Sequence, residues 1–170
     1  MAMNKNKKPK IKCQKLAKGA SIIEILIVIV IITIAMSSLF GVAAFSLRVS
    51  TSLKETVQAD ALARETIEAV RNFRDGTDWN TNGLGSLTVG ISYYPQKTVD
   101  NPPKWTLIQG QESINGFVRK VVFSGVMRDG NFNIVESGGI SDPDTKKATV
   151  TVSWKDKSIQ IVSYLTNWKQ

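Results

Sequence analysis

Glu24 is the one charged side chain in the chain's longest apolar stretch, residues 19–47. A carboxylate at the edge of such a run is costly in lipid unless it finds a partner, so an acid placed there is a functional candidate. The bland alternative is a glutamate that snorkels to an interface and does nothing. Other chemistry is thinly represented. The chain has no histidine, which removes the commonest general base and the commonest transition-metal ligand. Its single cysteine, Cys13, excludes an intrachain disulfide. A Ser/Lys dyad or paired carboxylates remain as catalytic options, but no motif places either. The chain therefore reads as a non-enzyme without a cofactor. Asp142, Asp144 and Asn133 offer oxygen ligands of the kind calcium takes. An EF-hand-like site uses more ligands at fixed spacing, and a solvated turn accounts for the three more simply, so no metal site is expected. Among the tryptophans, Trp154 falls in phase with Val150 and Val152 and reads as core. Trp79 and Trp168 fall in a loop and near the end of the sequence, where an aromatic can anchor a partner, with plain core packing as the simpler reading.

The element that positions Glu24 is the apolar run itself. Residues 25–47 carry no charge, which meets the ~20-residue requirement for a helix crossing a hydrocarbon core. The formal net charge of the chain is +8, but it is unevenly spread. Seven lysines (Lys5, Lys7, Lys8, Lys10, Lys12, Lys15 and Lys18) precede the run with no acid among them. The remainder holds 15 basic and 14 acidic residues, so the excess belongs to the tail. Lysines beside an apolar span hold that flank in the cytoplasm. Isolated basic pairs such as Lys146-Lys147 and Arg119-Lys120 do not build a nucleic-acid stripe, and no nucleic-acid partner is expected.

Three fates of the segment compete. An ordinary secretory signal has a shorter apolar core of about 7–15 residues and a small-x-small cleavage site, which Val42-Ala43-Ala44 or Ala44-Phe45-Ser46 would supply. A plain uncleaved anchor is the second. The third is a segment cut before its apolar core. Lys18-Gly19-Ala20-Ser21-Ile22-Ile23-Glu24 resembles the processing site of type IV prepilins. That resemblance implies cleavage after Gly19 by a prepilin peptidase on the cytoplasmic face, N-methylation of Ala20, and Glu24 as the fifth mature residue. Ala20 stands where many pilins have Phe or Met. Ser37, Ser38 and Gly41 stand near the place where many carry a helix-softening proline. Glycine and serine are weak helix formers, so a local soft spot is expected there. After cleavage the Ala20 α-amine, with a reference pKa near ~8, is substantially positive. In a filament Glu24 of one subunit would pair with that amine on the next. Each charge is costly alone in a low-dielectric core, so pairing offsets much of the cost and fixes one axial stagger.

Past the span, residues 48–74 are expected to continue as an amphipathic helix. Val49, Leu53, Val57, Ile67, Val70 and Phe73 form its apolar stripe with Ala61 and Ala63 filling the middle, and Asp75-Gly76 stops it. Asp60–Arg64 and Glu68–Arg71 are favourable helical pairs. Strand-like runs follow at 87–94, 105–108, 117–127, 133–136, 148–154 and 158–165. Residues 76–86, 95–104 and 137–147 read as loops. The last two strands, joined through Lys155-Asp156-Lys157, are expected to form an antiparallel hairpin.

The expected fold class is α+β: a long N-terminal helix, membrane-spanning in its first half, packed on a small antiparallel sheet, which is also what the prepilin resemblance implies. The expected divisions are a basic leader over 1–19, a transmembrane or filament-core helix over 20–47, an amphipathic helix over 48–75 and a β-domain over 76–170. The expected function is that of a structural subunit, a minor one in preference to a major one, of a type IV pilus or a secretion-type pseudopilus. Its partners would be the prepilin peptidase and methyltransferase, other pilin subunits, a membrane assembly platform and membrane lipid. The precursor would lie in the cytoplasmic membrane as a single-pass protein and the product in a periplasmic or surface filament. The alternative is a membrane-anchored or secreted β-domain that binds a ligand or partner without filament assembly.

Overall fold

The computed structural model describes Gly19 and residues 21–168. One helix, α1 (Ile22–Gly76), precedes a single sheet, with compact units dividing at Val49 and Ser50. No proline interrupts these 55 residues. The helix also continues without a break through Ser37, Ser38 and Gly41. Thr33, Ser37 and Ser38 each donate their hydroxyl to the carbonyl four residues earlier (Ile29, Thr33 and Ile34, at 2.7, 2.8 and 3.0 Å). These back-bonds satisfy those three hydroxyl donors on an apolar helix. Between residues 22 and 49 every described side chain is exposed.

In the second unit, residues 50–76 of α1 bury one narrow face. Ala59, Ala63, Thr66, Ile67, Val70 and Phe73 form it, while Val49, Leu53, Val57 and Ala61 stay exposed. The expected stripe is therefore out of phase at Val57 and Ala61. At about 100° per residue, Val57 lies roughly 80° around the helix from Ile67 and Ala61 farther still. Thr66 is tolerated inside because its hydroxyl donates to the Leu62 carbonyl at 2.7 Å.

The sheet has seven antiparallel strands: β1 (Ser92–Lys97), β2 (Trp105–Gln109), β3 (Glu112–Ile114), β4 (Phe117–Arg128), β5 (Ile134–Val135), β6 (Ile140–Trp154) and β7 (Lys157–Thr166). The order is β2-β1-β4-β6-β7, with β3 and β5 paired to opposite ends of β4. Alternate residues of β4 and β6 face the helix: Phe117, Val121 and Phe123 from one, Ala148, Val150, Val152 and Trp154 from the other. They form one core with the helix stripe, Trp79, Leu84, Tyr93 and Leu165. Fully burying a side chain of this size contributes roughly 1.5–3 kcal/mol. At the far end the β6–β7 turn meets the helix, with Lys155 Nζ 2.5 Å from Glu55 Oε1 and Lys157 Nζ 2.6 Å from Ser52 Oγ.

Several sequence-based boundaries move. The strand expected over 87–94 begins only at Ser92, because residues 84–86 form a 3-10 turn and Gly90 takes φ 80°. It then runs through Pro95, expected as loop; pairing of β1 with β4 ends at Tyr93, so no ladder donor is required of Pro95 on that side. The loop expected over 137–147 is largely strand. Ile140, Ser141 and Asp142 pair with Arg128, Met127 and Val126, and the register then skips Pro143, Asp144 and Thr145. The proline sits in that irregularity, where it costs no ladder bond. The hairpin turn after β6 is the two residues Lys155-Asp156, with Lys157 already in β7.

Candidate functional site

The start of α1 sets the geometry of Glu24. The Ser21 carbonyl accepts from the N–H groups of Glu24 (2.9 Å) and Ile25 (3.2 Å), which opens the helix at Ile22. Glu24 is then the third helical residue, in the first turn, where the helix dipole favours a carboxylate by about 0.3–1 kcal/mol. Ser21 and Glu24 also have the Ser-x-x-Glu spacing of a capping box. This local role for Glu24 escaped the sequence reading, although Ser21 signalled it. Gly19 lies exposed ahead of the helix, with nothing within 4 Å of where a Cβ would stand. Ala20 lies outside the described residues, and with it the Gly19–Ala20 bond and the methylation site; so do the lysine tail and Cys13. What surrounds Glu24 is apolar and uncovered: Ile22, Ile23, Ile25, Leu26 and the side chains after them are all exposed. A continuous surface of that kind marks contact with lipid or protein. By length and composition α1 contains a segment able to cross a membrane.

The oxygen-rich loops are committed to the protein itself. Arg128 Nε lies 2.6 Å from Asp142 Oδ2, its Nη2 donates to Thr145 Oγ1 (3.2 Å), and its Nη1 donates to the Phe132 carbonyl (2.8 Å). The Thr145 hydroxyl, together with Arg128, holds the Asp142 carboxyl below the usual carboxylate range. Asp144 Oδ1 accepts from the Asn167 amide at 3.1 Å. Asn133 is elsewhere, bonded to Asp129. The three residues weighed for calcium are thus not gathered around one point. Among the described residues no group of three or more His, Cys, Asp or Glu is placed to hold a metal.

The tryptophans divide between core and surface. Trp79 is core, not a surface anchor: it is buried, its Nε1–H donates to the Pro143 carbonyl at 3.3 Å, and Gly85 lies against its indole. Trp168 is 62% exposed, with Nε1–H on Asp75 Oδ1 at 3.1 Å. Trp154 is buried beside Phe117, ring centroids 5.7 Å apart. Arg119, read from sequence as part of an isolated basic pair, is 5% exposed on the core face. Its Nε lies 2.6 Å from Glu112 Oε2, and its Nη1 lies 3.3 Å from Glu65 Oε2 without hydrogen-bond alignment. Its alternation with Phe117, Val121 and Phe123 was the available signal. No family model, curated protein or solved structure matches the chain.

Proposed function

We propose that this chain is a structural subunit, of the minor kind, of a type IV pilus or a secretion-type pseudopilus. It enters the cytoplasmic membrane with its lysine tail inside, is cut between Gly19 and Ala20 by a prepilin peptidase, is methylated on Ala20, and is drawn by an assembly platform into a filament at the surface or in the periplasm. The observation that carries this reading is the first half of α1. It is apolar on every side, exposed throughout, and bears a single carboxylate in its first turn. A lipid anchor needs the apolar surface but not the acid, whereas a helix packed among copies of itself has use for both.

The capping-box spacing favours a second reading, in which Glu24 serves only its own helix and the β-domain is simply anchored. Glutamine completes a capping box as glutamate does, but it cannot pair with an α-amine. Glu24→Gln and Glu24→Ala are both expected to insert normally and to be lost from sheared filaments. Filament incorporation of Glu24→Gln at the level of the parent chain would leave the anchored-domain reading. Intact mass of the chain from its host's membranes tests the processing step independently: a start at Ala20 with about 14 Da added is expected.

A further inference from the structure

A small cleft lies where the end of α1, the loop after it and the segment after β7 converge. Trp79 and Trp168 line it, together with Arg74, Asp78, Asn80 and Asn167. Its volume is about 100 Å³. A closed cavity of about 150 Å³ accommodates benzene, so this open one takes the edge of a single six-membered ring. The walls are fixed by the protein's own bonds. The Asp78 carboxylate accepts from the N–H groups of Asn80 (3.2 Å) and Thr81 (3.1 Å) and from the Thr81 hydroxyl (2.9 Å). The Asp78 N–H donates to the Asn82 side chain at 2.9 Å. Asn167 is tied twice to Asp144, through its N–H to the carbonyl (2.8 Å) and through its amide to the carboxylate (3.1 Å). Trp168 follows, held by its indole N–H on Asp75 while most of its ring meets solvent. Groups preorganised in this way lose little freedom when a ligand arrives.

Two polar groups of the lining keep hydrogen-bonding capacity. Arg74 is engaged among the described residues through Nε alone, 2.8 Å from Asp75 Oδ1, which leaves both Nη groups. The Asn80 side-chain amide has no partner among the described residues, since only its backbone N–H is bonded. Charge then selects the ligand class. The lining carries one cation, Arg74, and one anion, Asp78, and Arg74 is already paired with Asp75. No excess positive charge is left to hold a phosphate or a carboxylate, and the guanidinium stands against an ammonium. A neutral sugar ring fits what remains. Its hydroxyls donate and accept, which matches guanidinium N–H groups and an amide that offers both a carbonyl and an NH₂. Its C–H face is apolar and packs on an indole.

We propose that this cleft binds a neutral hexopyranose unit of a glycan, with the ring against Trp168 and its hydroxyls on Arg74 and Asn80. Every lining residue belongs to the unit from Ser50 onward, so the site does not depend on the filament reading.

The test uses the full chain in a detergent without a sugar headgroup. It is titrated with the methyl glycosides of glucose, galactose, mannose and N-acetylglucosamine, and saturation transfer from protein to sugar protons is read by NMR. At least one glycoside is expected to saturate, with a Kd on the order of 1–10 mM because a single ring makes few contacts. Trp168→Ala is expected to weaken that binding about tenfold. Asn80→Ala, at an exposed position whose side chain supports nothing else, is expected to weaken it about fivefold with the melting temperature unchanged. Saturation by none of the four glycosides overturns the proposal. So does binding that both variants leave at the parent level. A response to N-acetylglycinamide as strong as that to the best sugar also overturns it, in favour of peptide recognition.

Discussion

Arg119 joins three elements through one guanidinium. Glu65 is on α1, Glu112 on β3 and Arg119 itself on β4. Arg119→Ala leaves its carboxylate partners without a counter-charge and opens space beside Phe117 and Val121. A loss of about 1–3 kcal/mol is expected, moderated because both glutamates reach solvent. Arg119→Met refills the volume without a charge, so its urea midpoint should fall between that of Ala and that of the parent. A Met variant as unstable as Ala would show that the charge, not the stem, matters. Asp142 makes the second residue-scale case. Its folded carboxyl is depressed below the ordinary value of 3.8, so the group stabilises the fold above that value. That contribution is lost as pH falls through the lower, folded value. Asp142→Asn should therefore flatten the fall of stability below about pH 4, and an unchanged acid limb would dissociate the group from acid unfolding. Neither arrangement was legible beforehand. Arg119 was hidden because a charged residue in an alternating strand is read as outward-facing, and the pairing of Asp142 with Arg128 depends on a register that sequence does not state.

At the scale of elements, the helix and the last two strands were readable because their periodicity runs for many residues. The short elements were not. Asn115-Gly116, with φ 51° and 85°, is a two-residue hairpin turn of the kind that favours Asn-Gly, and it was the available signal for β3. Pro143 concealed the first part of β6, since a proline argues against a strand unless a bulge receives it. The loop after α1 was assigned correctly as irregular, but its packing came from a contact no pattern reports. A Cβ on Gly85 would stand 2.6 Å from both Trp79 Cδ1 and the Trp79 carbonyl oxygen. Gly85→Ala must push the loop off the indole, at roughly 1–3 kcal/mol. The expected outcome is a lower melting temperature by tryptophan fluorescence. Gly130→Ala, with open space around the new methyl, should change little by comparison.

For the molecule as a whole, the two units meet solvent on opposite terms. Residues 22–49 bury no described side chain, whereas Ser50–Gln170 encloses a continuous core from helix and sheet. An uninterrupted apolar run and an alternating one need different surroundings, and the sequence holds both. Sequence does not say which face of α1 the sheet covers, since Leu53 and Val57 are as apolar as Ile67. A fragment beginning at Ser50 keeps Ala59, Ala63, Ile67, Val70 and Phe73, and so keeps the whole helix contribution to the core. It is expected to be soluble without detergent, to sediment as a monomer, and to unfold in one cooperative transition near that of the full chain in detergent. The full chain without detergent should aggregate through its exposed isoleucines and valines. If the fragment aggregates as well, the exposed row of Leu53, Val57 and Ala61 is the part that needs covering. Leu53→Ser with Val57→Ser would then restore a monomer without loss of stability, because neither residue contributes to the core.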